Sequence, residues 1–373
     1  MRIRRGFLRI AAVLSLLTGL TGCWANQSVD YRAIVLGIGF APASHGRLAI
    51  TVQVPTRNGL TGLTGANASA SASGPSVYTM TESGKTVGTG LVQIQGQTQD
   101  ELYVGQVQLI AFSSRLDAKQ VKLAENWLAQ IGPLDKTAYV VATPHVRALF
   151  QKEPATGTLS TLQMLGGFSC VDCGVVTFRQ HQWDLSIESL SPGYSLWMPY
   201  VTLTPTGFTS DRITVFRQEQ PVWTLSPAET TNLGYVMGTT ARGYLTVTEN
   251  GEPVGIRFIS ASPHIRARIQ NGRVHIDVTL KAAGTIDTLL RPTLSPQPLA
   301  QIEHQSEREL AKQVLLVLTR LQRLGSDPNG FLAPLIWQSE PSWEDVSTWE
   351  QAYRQADITV HVVFRIKDIG DVG

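Results

Sequence analysis

The chemistry this sequence specifies most plainly belongs to Cys23. That residue ends the run Leu20-Thr21-Gly22-Cys23, after a basic stretch (Met1 to Arg9) and an apolar one (Ile10 to Leu20). The order is that of an n-region, an h-region too short to span a bilayer comfortably, and a small-residue cleavage point. It fits a bacterial lipobox, in which the thiol receives a diacylglycerol, cleavage occurs before the cysteine, and the freed amine is usually acylated. Small residues fit the peptidase, and only a thiol supplies the nucleophile. A plain signal peptide or an uncleaved anchor is the alternative. Two or three acyl chains make a stable anchor, because one chain alone holds a bilayer only marginally. The expectation is a signal peptide over 1–22 and a mature chain outside the cytoplasm, held to the membrane by Cys23.

The other two of the three cysteines form a close pair, Cys170-Val-Asp-Cys173. A redox Cys-x-x-Cys wants a helix N-terminus to lower the thiol pKa, whereas Gly174-Val-Val-Thr-Phe reads as a strand. Zinc would need a second ligand pair, which His181 alone does not supply. A local disulfide and two unpaired thiols both stay open, and the pair is read as structural or incidental. Gly84-Lys85-Thr86 ends like a phosphate-binding loop, but the pattern needs a Gly where Thr79 stands. The sequence has no Gly-x-Ser-x-Gly and no His-Glu-x-x-His, and its 7 histidines are scattered. No catalytic residue, cofactor or metal ligand is assigned, and an enzyme is not expected.

Two patterns suit contact rather than chemistry. Arg266, Arg268 and Arg273 make one face of a hairpin basic. That face is either solvated and balanced by Asp277, or a surface for anionic headgroups or an acidic loop of a partner. Trp337, Trp343 and Trp349, with Tyr353, follow Asp327-Pro-Asn-Gly-Phe331 and form an aromatic cluster. They are either packing under a loop or a partner-binding surface.

The elements that must position these residues follow from periodicity. Ala33 to Phe40 reads as a buried strand, and Leu48, Ile50, Val52 and Val54 alternate in a second that ends at Pro55. Asn58 to Ser76 is uncharged and rich in small residues, a long loop with nothing to build a core. A helix from about Asp117 to Ile131 carries Val121, Ala124, Trp127, Leu128 and Ile131 on one face and stops at Gly132-Pro133. Thr143-Pro144 is read as the N-cap and first position of another, and Ser226-Pro227 as the start of a short one. Near the C-terminus, Asn271-Gly272 joins two alternating strands as a type I′ hairpin. A helix from about Ile302 to Leu324 carries Leu310, Val314, Val317, Leu318, Leu321 and Leu324 on one stripe, with Gly325 as its cap. Glu303, Glu307 and Glu309 in its early turns suit the helix dipole. A last strand places Ile358, Val360, Val362, Phe364 and Ile366 on one face, and the long helix is expected across an antiparallel sheet.

The chain has 373 residues, 16% of them charged and 43% hydrophobic, enough for two or three folded domains. The formal charge of +2 includes Arg2, Arg4, Arg5 and Arg9 of the first 22 residues, which hold no acid, so the remainder carries −2. Such a body lacks the electrostatic footprint of a nucleic-acid binder. The expected division is an N-terminal α/β domain over 23–190, a small middle domain over 191–243, and a C-terminal α+β domain over 244–373. The fold class is α+β, with mixed or antiparallel sheets and packed helices.

In order along the chain stand Cys23-Trp24, Ile34-Val-Leu-Gly-Ile-Gly39, Glu82-Ser-Gly-Lys-Thr86, the long helix, Asp327-Pro-Asn-Gly-Phe331, Pro341-Ser-Trp343, Trp349 and Arg365-Ile-Lys-Asp-Ile-Gly370. Together they resemble the Ger(x)C (GerAC-type) family of spore germination lipoproteins. Ala25-Asn26-Gln27 departs from the acid and basic residues usual there, and Asn58 to Ser76 looks like an insertion. The resemblance implies three domains, each a β-sheet with packed helices, and no catalysis. It implies the C subunit of a germinant receptor, on the outer face of the spore inner membrane, acting with integral-membrane A and B subunits in responding to nutrients. From the residues alone, a solute-binding lipoprotein with a cleft between domains stays open, as does an exported hydrolase with converging titratable groups.

Overall fold

The computed structural model describes residues 31–56, 76–155, 159–170, 178–240, 242–249, 251–288, 296–338 and 346–368. Cys23, Cys173, Trp343, the strand expected from Gly174 and nearly all of the uncharged loop after Asn58 lie outside the described residues. The chain folds through β1 (Arg32–Ile34), β2 (Gly37–Pro42), β3 (Leu48–Pro55), β4 (Val77–Gly84), α1 (Val87–Gln95), β5 (Glu101–Tyr103), β6 (Leu109–Ser113), α2 (Ala118–Gln130), β7 (Tyr139–Thr143), α3 (Val146–Gln151), α4 (Ser160–Ser169) and α5 (Gln182–Leu190). Next come β8 (Trp197–Leu203), β9 (Phe208–Arg217), β10 (Gln220–Thr224) and α6 (Pro227–Met237). The last part holds β11 (Tyr244–Glu249), β12 (Glu252–Gln270), β13 (Arg273–Thr288), α7 (Pro296–Leu324), α8 (Ala333–Gln338), α9 (Val346–Arg354) and β14 (Asp357–Asp368).

An eight-stranded mixed sheet has the order β10-β9-β8-β7-β6-β2-β3-β4. Its centre, β2, β6 and β7, is parallel and reads as unbroken apolar sequence because helices cover both faces. Ile38, Phe40, Ile110, Phe112, Val140 and Ala142 pack under α1, α2 and α5. Leu109, Ala111 and Val141 pack under α3 and α4. Asp117 caps α2, its carboxylate accepting from Gln120 N at 2.8 Å. The buried run expected from Ala33 is broken into β1 and β2, because the chain changes partners there. Val35 N donates to Tyr103 O of β5, and Leu36 N to Gln53 O of β3. Thr143-Pro144 does not start a helix either. Thr143 is the last residue of β7, paired with Ser113, and α3 begins at Val146 behind His145.

Strands from 191–243 extend this sheet rather than forming one of their own: β8 pairs with β7 at Tyr200 and Ala142, and β9 and β10 follow it. The capping box of α6 matches its sequence signal, with Ser226 Oγ accepting from Glu229 N and Glu229 Oε2 accepting from Ser226 N. A second sheet has the order β11-β12-β13-β14. Asn271 (φ +50°) and Gly272 (φ +76°) turn the β12–β13 hairpin. β14 lies parallel to β13, so this sheet is mixed, not antiparallel as expected. The helical return through α7, α8 and α9 is long enough to make that crossover. The long α7 crosses the sheet, burying Ile302, Leu310, Val314, Leu318 and Leu321, and ends at Gly325 (φ +69°).

Gly37 and Gly39 are where α3 comes closest to the sheet. A Cβ on Gly39 would lie 2.3 Å from Val146 Cγ1, and one on Gly37 would lie 2.4 Å from Phe150 Cε1. Gly39→Ala is therefore expected to cost about 1–3 kcal/mol of overpacking. The measurement is a urea unfolding curve, whose midpoint falls while its slope is kept. An unmoved midpoint would mean that α3 retreats without penalty.

Candidate functional site

The open face of the C-terminal sheet carries the residues singled out as basic. One face of the β12–β13 hairpin turns its apolar residues to α7, and the other presents Arg266, Arg268 and Arg273, all exposed. Arg266, Asp277 and Thr359 share one rung across β12, β13 and β14. Asp277 is claimed by two neighbours: Arg268 Nη1 at 2.5 Å and the Thr359 hydroxyl, which donates at 2.5 Å. Arg266 Nε donates instead to His264 Nε2 at 3.1 Å, a contact that brings no negative charge to the guanidinium. His275 Nδ1 lies 3.6 Å from Asp357 Oδ2. Among the described residues one carboxylate, Asp277, pairs with one of the three arginines, Arg268. Exposed pairs of this kind are worth about 0–1 kcal/mol. The face is a basic strip.

The aromatic residues divide differently. Trp349 is buried in the C-terminal core with Phe331 and Tyr353, which makes it a packing residue and removes it from any exposed surface. Trp343 and the side chain of Trp337 lie outside the described residues. Cys170 is disulfide-bonded. Among the described residues no group of three or more His, Cys, Asp or Glu could hold a metal. A shallow groove of about 450 Å³ between β11 and α7 is lined by Thr246, Thr248, Gln305, Arg308, Glu309 and Lys312.

Asp327, which opens the Asp327-Pro-Asn-Gly-Phe331 motif, joins the two sheets. Its backbone N–H donates to Ser195 Oγ at 2.9 Å, and Ser195 N donates back to its carbonyl at 2.9 Å. Its Oδ2 accepts from Leu332 N at 3.4 Å. Complete burial raises its carboxyl to about 7, against the opposing pull of the backbone N–H groups of residues 329–332. Burial also raises Glu188 to about 8, although Gln180 Nε2 donates to it at 2.7 Å and Trp197 Nε1 at 3.1 Å. Glu125, 3.8 Å from Lys122 Nζ, is raised to about 8 by the same cause. No sequence pattern marks these two acids, since each sits among ordinary polar helix residues.

Each of these carboxyls keeps its proton in the folded chain at a pH where the unfolded chain has lost it. Their contribution to stability is complete below about pH 4 and is lost as the pH rises through their folded values, about 7 for Asp327 and about 8 for Glu125 and Glu188. The thermal midpoint is expected to fall between about pH 5 and about pH 8, and to fall less steeply in Glu188→Gln, whose amide has no charge to bury. Equal slopes in the two proteins would assign the pH dependence to other groups.

Comparison with known proteins agrees with this architecture. Residues 26–203 match the family model "Spore germination protein N-terminal domain", and residues 211–370 match "Spore germination B3/ GerAC like, C-terminal". The chain is 27% identical over 154 residues to spore germination protein B3 of Bacillus subtilis (strain 168). That alignment takes in 40% of this chain and 41% of the relative, less than half of its length. The crystal structure of the GerBC protein superposes with a TM-score of 0.57 at 18% identity, over 89% of this chain and 97% of that one, which is a likeness of fold. With both halves matched in order over nearly the whole chain, the protein belongs to the GerAC-like family of spore germination proteins.

Proposed function

We propose that this protein is the membrane-anchored lipoprotein subunit of a nutrient germinant receptor, needed for spore germination and acting without catalysis. The observation that carries the reading is the match of both halves to spore germination models behind a lipobox ending at Cys23. The acylated cysteine holds the chain on the extracytoplasmic face of the spore inner membrane. Confinement to that plane raises its effective concentration near the integral-membrane A and B subunits. Among the described residues no helix is long and apolar enough to cross a membrane, so for that part the proposed attachment is the lipid. The basic strip at Arg266, Arg268 and Arg273 is the surface offered to a partner, and an exposed charged face suits recognition and register more than raw affinity.

Cys23→Ala is expected to abolish membrane retention and to weaken the nutrient response, with germination through a receptor-independent trigger intact. Normal nutrient germination with the protein soluble would refute the scaffold role. Charge reversal at Arg266 and Arg273 is expected to slow nutrient germination while changing the unfolding free energy by no more than about 0.5 kcal/mol, as for exposed substitutions generally. Unchanged germination kinetics in that variant would remove the strip from the partner surface.

A further inference from the structure

Helix α5 leaves a stripe of large apolar side chains uncovered. Trp183, Ile187 and Leu190 are 46%, 55% and 78% exposed. They recur at i, i+4 and i+7, one face of a helix, while Leu185 turns into the core. A contiguous apolar face of this kind marks an interaction surface, and its place in the fold indicates with what.

The helix lies across the N-terminal ends of the parallel strands. Gln182 N donates to Ala138 O and Trp183 N to Lys136 O, just before β7. Its other end stays at the same level. Glu188 bonds Trp197, the first residue of β8, and Gln180, whose carbonyl accepts from Val140 N. The chain enters the fold at this same end. β1 and β5 prolong β2 and β6 backwards beyond their starts, where Gln108 N donates to Leu36 O and Tyr139 N to Gln108 O. In the sheet β2 is two strands from β7, a lateral offset of about 10 Å. From Cys23 to Tyr31 there are eight residue steps, which reach at most about 30 Å when fully extended.

We infer that the apolar stripe of α5 rests on the lipid bilayer, so that the N-terminal ends of the parallel strands face the membrane. The inference rests on the proposed lipid attachment at Cys23, which supplies the short tether. The geometry then does the rest: the tether enters where the stripe lies, and the opposite end of the sheet is the one held away. Tryptophan suits the boundary between headgroups and acyl chains, and an amphipathic helix lies there with its apolar face inward. Charges beside the stripe are of both signs, Lys136 and Asp184, so the contact is apolar and does not select anionic lipid.

The test uses the full lipidated chain in phosphatidylcholine vesicles whose acyl chains are brominated, read by flotation and by tryptophan quenching. Trp24 adjoins the acylated cysteine, so the measurements are made in a Trp24→Phe background. Flotation with a quenched tryptophan component is expected. That component is expected to vanish in Trp183→Phe and to shrink in Ile187→Ser/Leu190→Ser, in which Trp183 remains, with flotation unchanged in both. Flotation without quenching, or quenching unmoved by either variant, overturns the α5 contact and leaves the anchor standing. A chain that does not float overturns the anchor, and this orientation with it.

Discussion

The two reciprocal hydrogen bonds between Ser195 and Asp327 fix one sheet to the other, and much else is arranged around them. For Asp327 to reach the lead-in of β8, the chain turns left-handed at Gly330 (φ +63°) and passes directly beneath the ring of Tyr194. A Cβ on Gly330 would lie 2.2 Å from that ring, so the close approach requires glycine. Gly193 (φ +84°) makes the matching turn on the other side, against Ala333 and Ile336. Behind this junction a single core runs through both sheets: Trp197, Ile213 and Val215 from the first pack in one cluster with Ile256, Leu318 and Phe331. Two segments that match separate family models are therefore one packed body at this junction. The cost is a fully buried carboxyl, offset because burial raises it to about 7, toward the neutral form, and the backbone N–H groups of residues 329–332 face it.

Control of the sheet edges explains a second set of residues. An exposed edge strand offers unpaired N–H groups to any passing chain. In β14 the N–H groups of Phe364 and Ile366 are taken by Glu307 Oε1 at 3.1 Å and Glu303 Oε1 at 2.9 Å. Both carboxylates come from α7. In the sequence these acids read as partners of the helix dipole, but α7 begins at Pro296, which puts them about two and three turns in, beyond the reach of the dipole. Their charge does its work on the neighbouring strand. A pattern along one helix cannot reveal a partner fifty-seven residues away.

What was legible in the sequence was what local chemistry decides. Asn271-Gly272 makes its hairpin because few other pairs adopt two positive φ values. Asp117 and Ser226 cap their helices because a short side-chain oxygen meets an orphan N–H, and the stripe of α7 is buried as its spacing requires. What failed was decided at a distance. Thr143-Pro144 has the chemistry of a helix start, yet Thr143 is held in β7 by its pairing with Ser113. The segment from 191 looks like a separate unit from its prolines and glycines, but strand order is set by which edge is open, and β7 had one. The basic strip was visible as alternation in β12, because a hairpin makes a face from every second residue. The apolar stripe of α5 was not, since any short helix with Trp, Ile and Leu at these spacings reads as buried. Exposure depends on what else packs there.

The apolar stripe of α5 is not large enough to act alone. Three apolar side chains on one short helix fall well below the area of a stable protein interface, and a single small apolar anchor holds a bilayer only marginally. If Cys23 is acylated as proposed, a few residues link that anchor to β1, and the stripe of the same folded body meets the bilayer as an intramolecular contact, at an effective concentration set by tether length. Under the proposed function its contribution is orientation rather than affinity. A freely swivelling tethered body samples every direction of presentation. One that also rests on α5 keeps the parallel-strand end down, and through the continuous core it holds the C-terminal sheet in one attitude. A basic face held in one attitude docks with less entropy to lose. On the proposed reading, a protein without catalysis would take part in a response in this way, by limiting the arrangements its partners can adopt.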